Sequence, residues 1–76
     1  MVNFHEDSHA LSVFMKEKIR HLIAEKTLRR GFIKLMIHNL AGSGKLTEEI
    51  QNHYLDQLSA LDEEIEILER ALKKID

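Results

Sequence analysis

The most regular pattern in the chain is a run of apolar residues in its second half. Successive members of the run are three or four positions apart, which places them along one face of an α-helix. They are Ile50, Tyr54, Leu58, Leu61, Ile65, Leu68, Leu72 and Ile75. Thr47 suits the N-cap position, with two glutamates directly after it, and two lysines lie near the end of the run, as the helix dipole favours. The pattern predicts a helix over residues 47–75.

The first half also has helical spacing, and we predict a helix over residues 8–41 with N-cap residues at Asp7 and Ser8. We expect Lys26 and Arg29 to interrupt its apolar stripe. The expected stripe consists of Leu11, Met15, Ile19, Leu22, Ile33, Met36 and Leu40. Beyond Arg30 apolar residues cover nearly every face, so this part of the helix is expected to contact more than one neighbour.

The two helices are separated by AGSGK, residues 41–45. We predict a turn over residues 42–46 with Gly42 as the left-handed C-cap. The segment is not a phosphate-binding P-loop, because Asn39 and Leu46 stand where that motif requires glycine and a hydroxyl residue. Two long helices joined by a short glycine-containing turn predict an all-α fold, an antiparallel helical hairpin that forms a single domain over residues 1–76.

Gly31 lies in the middle of the first predicted helix. Glycine at such a position costs about 1 kcal/mol relative to alanine. A kink or the close approach of another helix would explain it, and we favour close approach.

Composition and charge limit the classes of function and of binding site that the chain can have. The chain has no cysteine, so it has no disulfide framework and no thiolate metal site. No stretch of about 18 apolar residues is present, and we expect neither a membrane span nor a signal peptide. Residues 1–45 hold eight basic and four acidic residues, whereas residues 46–76 hold three basic and nine acidic residues. Opposite charges on the two halves favour pairing of these halves, within one chain or between chains, over nucleic-acid binding.

Several short motifs suggest chemistry that their context does not support. His5, Glu6 and His9 form the H-E-x-x-H pattern of zinc peptidases, but no third ligand is in view and the predicted helix starts after His5. His21, four residues from both Glu17 and Glu25, is expected to be a surface residue. We therefore expect no catalytic residue, no metal site and no cofactor. Small hairpin phosphatases of the Spo0E type carry the motif S-Q-E-L-D. The nearest segment here is SALD at residues 59–62, which is one residue shorter and lacks the amide, so this alternative is less favoured.

The second predicted helix contains ALDEEIEIL, with an Ala-Leu-x-x-x-aliphatic-x-aliphatic-aliphatic core formed by Ala60, Leu61, Ile65, Ile67 and Leu68. With the glycine turn before it, this segment resembles the small co-chaperones of type III secretion needle subunits, of the YscE, PscE and EscE kind, over residues 41–72. The resemblance implies a protein of the bacterial cytoplasm that is not an enzyme. It implies binding to a TPR-like co-chaperone, and that pair would keep the needle subunit soluble and monomeric before export.

Two helices that bury one face each leave apolar surface exposed, so we expect the hairpin to be oligomeric or bound to a partner. The residues predicted to face that partner are Leu28, Phe32, Leu35, Leu55 and Ile67. The sequence leaves open whether the partner is another protein or a second copy in a homo-oligomeric structural or regulatory protein.

Overall fold

Two long helices and one short turn make up the computed structural model, which describes the backbone of residues 4–75 and the side chains of residues 9–75. The first helix, α1, spans Phe4–Gly42, and the second, α2, spans Glu48–Ile75. The helices run antiparallel, because Lys26 contacts Glu64 while Arg30, further along α1, contacts Asp62, which is nearer the start of α2. The predicted all-α helical hairpin is confirmed.

The interface is one layer of side chains. Ile33 on α1 and Leu61 and Ile65 on α2 are the buried apolar residues, with 8%, 5% and 7% of their surface exposed. The other α2 residues of the predicted face are half-buried, namely Tyr54, Leu58, Leu68, Leu72 and Ile75. Ile50 is an exception because it lies beside the turn, and 36% of its surface is exposed. The heptad pattern of α2 therefore identified the interface correctly along most of the helix.

The face of α1 that meets α2 agrees only in part with the predicted one. Of the predicted residues, Ile19, Leu22 and Leu40 are half-buried and Ile33 is buried. The half-buried or buried residues along the centre of this face are three or four positions apart, and we call this set the inner seam: Lys16, Ile19, Ile23, Lys26, Arg30, Ile33, Ile37 and Leu40. The prediction was wrong for Leu11, Met15 and Met36, which are 60%, 44% and 44% exposed. Lys26 and Arg30 are part of the seam, because a long basic side chain can pack its aliphatic stem against an apolar interface and keep its charge at the edge.

Two ion pairs cross the interface. Lys26 Nζ lies 2.6 Å from Glu64 Oε2, and Arg30 Nη1 lies 2.8 Å from Asp62 Oδ1. The expected attraction between a basic first half and an acidic second half is thus made by specific contacts. Exposed ion pairs contribute only about 0–1 kcal/mol each, so their main effect is on register. A shift of α2 by one heptad would break both pairs.

The turn closes α1 with a Schellman motif. Lys45 N donates to Leu40 O at 2.9 Å, and Gly44 N donates to Ala41 O at 3.2 Å. Gly44 has a φ of 72° and therefore occupies the left-handed C′ position of this motif. The prediction that Gly42 takes this position was wrong, because α1 continues through Gly42. The predicted N-cap of α2 is confirmed, since Thr47 Oγ1 accepts a hydrogen bond from Ile50 N at 3.2 Å.

At the end of the hairpin opposite the turn, α1 extends beyond α2. The backbone of α1 is helical from Phe4, four residues before the predicted start, so the expected N-cap residues Asp7 and Ser8 lie within the helix. The register set by the ion pairs places Ile75, the end of α2, level with about residue 16 of α1. Residues 9–15 therefore extend beyond α2, and this segment exposes Leu11, Val13, Phe14 and Met15.

The hairpin is a thin rod. Its principal extents are 65 × 16 × 15 Å and its radius of gyration is 18.3 Å, whereas a compact domain of this length would have a radius of about 11 Å. Its accessible surface is 6275 Å², compared with about 4800 Å² for a compact monomer of the same mass. The fold thus leaves about 1500 Å² more surface in water than a compact monomer would.

We expect Ile65→Val to lower the melting temperature of the hairpin by several degrees, because removing a buried methylene group costs about 0.5–1.5 kcal/mol. Ile67→Val removes the same group from a side chain that is 60% exposed and should leave the melting temperature nearly unchanged. Both changes keep a β-branched residue on α2, so helix propensity is matched. Thermal unfolding followed by circular dichroism checks the pair, and equal shifts would contradict the buried position of Ile65.

Candidate protein-interaction surface

A second apolar face of α1 points away from α2. Leu28 lies two positions from each of the inner-seam residues Lys26 and Arg30, and Leu35 lies two positions from Ile33 and Ile37. Each position turns the helix by about 100°, so both leucines point about 200° away from the seam. Consistent with this, Leu28 is 66% exposed and Leu35 is 53% exposed. Helix α1 therefore carries apolar residues on two opposite sides.

These residues border a shallow groove, which we call the outer groove. It is lined by Ala24, Thr27, Leu28, Gly31, Phe32 and Leu35. Phe32 is 62% exposed at its edge, and Gly31 lies between the larger side chains. The lining residues span three turns of α1, or about 17 Å. The groove thus has the length of a short helical segment.

Gly31 gives the groove its depth. A β-carbon placed on Gly31 would have no atom within 4 Å apart from its own helix and neighbours. The expectation that another helix approaches closely at this glycine is wrong within the chain, because α2 lies on the opposite side of α1. The helix also runs on through Gly31 without a break. The glycine instead leaves open space on the exposed face.

The rim of the outer groove is basic. Arg20 and Lys34 are each one heptad from Thr27 and so follow one edge, while Arg29 borders a depression formed with Glu25, Leu28 and Phe32 on the other side. Within the described part of the chain, neither Arg29 nor Lys34 has an ion-pair partner. The nearby carboxylates of Glu17 and Glu25 lie 3.2 Å from Arg20 and His21 of the same helix. Glu25 lines the same depression as Arg29 and is ion-paired only when His21 is protonated. Glu17 and Glu25 together do not balance Arg20, Arg29 and Lys34, so the rim has a net positive charge.

The structure brings three of the five predicted partner-facing residues together. Leu28, Phe32 and Leu35 line the outer groove, whereas Leu55 and Ile67 lie on α2 with 47% and 60% of their surfaces exposed. The latter two are twelve residues apart, which corresponds to about 18 Å along the axis and about 120° around it. They do not join the outer groove, and they do not share a face with each other.

Sequence reasoning missed the small residues of the groove and its basic rim. Ala24 and Gly31 are seven positions apart, which puts them on one line of the helix surface. This spacing is visible in the sequence, but its meaning depends on knowing which side of α1 faces α2. Phe14, two heptads before Leu28, continues the same outward side into the segment beyond α2, where it is 63% exposed.

The motifs considered for chemistry have other partners or lie outside the described side chains. The side chains of His5 and Glu6 are not described, and no group of three potential metal ligands occurs in the described part of the chain. His21 contacts Glu25. Asp62, the last residue of SALD, forms its ion pair with Arg30. No helix among residues 4–75 is long and apolar enough to cross a membrane.

A second depression lies near the turn and is lined by both polar and apolar side chains, most of them from α2. His53, one of its lining residues, has its Nε2 3.2 Å from Gln57 Nε2, and the rings of His53 and Tyr54 are 5.9 Å apart. Its apolar lining residues are Met36 and Leu40 from the end of α1 and Ile50 and Tyr54 from α2. The outer groove is therefore the more apolar of the two surfaces and the better candidate for binding another protein.

We expect Gly31→Ala to raise the free energy of unfolding by about 0.5–1 kcal/mol, because alanine favours the helix and its β-carbon meets no atom here. Gly44→Ala should have the opposite effect and cost about 1–2 kcal/mol, because Gly44 has a φ of 72°. Urea unfolding of the two variants checks the difference in sign. A loss of stability in Gly31→Ala would show that the space above Gly31 is not open.

The segment that carries the resemblance, residues 41–72, contains the turn and most of α2. Its pattern positions Leu61 and Ile65 in the interface with α1 and leaves Ile67 exposed. Comparisons of the chain with protein-family models, with curated proteins and with solved structures find no match. Membership of the co-chaperone family is therefore a proposal.

Proposed function

We propose that this chain is a small protein-binding hairpin, not an enzyme, and that its outer groove docks a helix of a larger partner. One observation carries the proposal. A contiguous, exposed apolar groove lies on the side of α1 that faces away from α2, and residues 4–75 contain no further helix that could cover it. Exposed apolar patches with polar rims are typical of protein-interaction sites.

The small interface between the helices supports this role. Only Ile33, Leu61 and Ile65 are buried among the described side chains, and none of them is completely inaccessible. A hairpin with so little buried apolar surface gains stability from any partner that binds only its folded form. The surface in excess of a compact monomer, about 1500 Å², exceeds the roughly 800 Å² that each protein contributes to a standard interface.

The finer form of the proposal is a bacterial cytoplasmic co-chaperone of a type III secretion system. The resemblance over residues 41–72 implies a TPR-like partner, and helical-repeat proteins present extended concave surfaces that suit a thin helical rod. In this role the pair would hold a needle subunit soluble and monomeric before export. The outer groove of α1 would bind the partner, and α2 would support α1 by packing against its opposite side.

The main alternative is a homo-oligomeric structural or regulatory protein in which copies cover one another's grooves. The apolar segment beyond α2, with Leu11 and Phe14 exposed, gives this alternative additional surface to bury. The two possibilities differ in what the purified chain does when it is diluted.

We expect oligomers of the purified chain to be weak. They should dissociate and lose helicity on dilution, because the outer groove has no stable occupant. Sedimentation velocity and circular dichroism, measured over the same concentration series, check this. A tight oligomer that stays fully helical at the lowest concentration would instead identify the homo-oligomeric protein.

We expect Phe32→Asp to abolish complex formation with a TPR-like protein co-expressed from the same genome, because it places a charge in the outer groove. Ile67→Asp is the matched control, since Ile67 has almost the same exposure, 60% against 62% for Phe32, but lies on α2 away from the groove. Complexes are quantified by co-purification and light scattering, with helicity measured for each variant. Equal binding by wild type and Phe32→Asp would reject the groove as the docking site.

A further inference from the structure

We propose that the outer groove is a socket for one amphipathic helix of a different protein, whose apolar side chains enter the space around Gly31 and whose flanking carboxylates face Arg29 and Lys34. This inference rests on the proposed function and specifies the chemistry of the partner. It follows from the spacing of the groove residues and from the charge of its rim.

The spacing of the groove residues provides two holes for side chains of a facing helix. In knobs-into-holes packing, one side chain inserts among four residues at positions i, i+3, i+4 and i+7 of the partner helix. The outer groove contains this arrangement twice. The first hole is formed by Ala24, Thr27, Leu28 and Gly31, and the second by Leu28, Gly31, Phe32 and Leu35.

Gly31 belongs to both holes, together with Leu28. Because a β-carbon at Gly31 would meet no atom of the hairpin, the glycine is not required by packing within the chain. It nevertheless costs about 1 kcal/mol of helix stability relative to alanine. The space it leaves lets two consecutive side chains of an incoming helix approach the backbone of α1, which explains a glycine at this position.

The charges beside the holes specify the flanks of the incoming helix. Arg29 adjoins Leu28 on one side of the groove, and Lys34 adjoins Leu35 on the other. Helices that pack by knobs into holes place charged residues beside the apolar contacts, where they pair with opposite charges on the partner. Since neither base has an ion-pair partner within the described residues, carboxylates on the occupant would meet both of them.

A second copy of this chain fits the groove less well than an acidic helix. Two copies joined through this face would each bring the same basic rim to the contact. Within residues 9–42 of α1, seven basic residues stand against two acidic ones, Glu17 and Glu25. The acidic residues concentrate on α2, on the other side of the hairpin. Pairing between copies would therefore place like charges beside the apolar contacts.

An anionic membrane surface also fits less well. The basic residues of α1 would attract it, but α2 carries eight acidic and three basic residues between Glu48 and Ile75. The axes of two packed helices lie about 8–10 Å apart, which is only about one Debye length at physiological salt, so the charges of α2 are only partly screened. The acidic helix would therefore lie close enough to an anionic surface to weaken its binding.

Two designed helical peptides test the proposed partner chemistry. Both carry leucine at the a and d heptad positions, with glutamate at the flanking e and g positions in one and lysine in the other. Binding of fluorescein-labelled peptides to the full chain is measured by fluorescence anisotropy. We expect the glutamate peptide to bind at least about tenfold more tightly than the lysine peptide, and added salt to reduce this difference.

Variants of the chain measure separately how the two holes and the basic rim contribute to peptide binding. Gly31→Leu should weaken binding of the glutamate peptide by at least about tenfold, because one side chain obstructs both holes, while Gly31→Ala serves as the control for helix propensity. The double change Arg29→Glu with Lys34→Glu should reverse the preference and favour the lysine peptide. Circular dichroism of each variant establishes that the hairpin remains helical.

The failures of the two proposals are distinguishable. Equal binding of both peptides, or unchanged binding to Gly31→Leu, would overturn this inference and leave the docking function standing. Absence of binding by either peptide, with self-association that Phe32→Asp removes, would overturn both proposals in favour of a second copy. Binding to vesicles containing phosphatidylglycerol, with no binding to either peptide, would likewise overturn both in favour of a membrane surface.

Discussion

The single layer of side chains between α1 and α2 is the constraint on which the rest of the molecule depends. Two helices can bury only one face each, and here that contact encloses three well-buried apolar residues. The chain therefore cannot compact further, and it remains a rod about 65 Å long. Its shape, its large accessible surface and its exposed second apolar face all follow because residues 4–75 form no third helix that could cover α1.

The fold could be predicted because α2 carries one unbroken apolar face and the turn carries distinct capping residues. The orientation of α1 could not be predicted by hydrophobicity, because Lys26 and Arg30 belong to its inner seam while Leu28 and Phe32 do not. A basic side chain can be half-buried when its charge has a carboxylate within reach. That condition depends on the register of the two helices, which is a property of the folded hairpin.

The candidate surface could be predicted only in part, because it too depends on which side of α1 faces α2. An excess of apolar residues after Arg30 indicates a second contact, and Leu28, Phe32 and Leu35 indeed share one groove. Leu55 and Ile67 break the apolar pattern of α2 in the sequence, but the geometry of the helix separates them. The role of Gly31 could not be predicted from the sequence, because it depends on α2 packing against the opposite side of α1.

The interleaving of the two faces of α1 restricts how the length of this helix can change. Between residues 30 and 37, positions that contact α2 alternate with positions that line the outer groove. Inserting or deleting one residue here would turn everything beyond it by about 100°, which would disrupt the hairpin and the groove together. Each face can accept substitutions separately, but the spacing of this segment is shared by both. Length changes are therefore best accommodated in residues 9–15, which have no α2 residue opposite them.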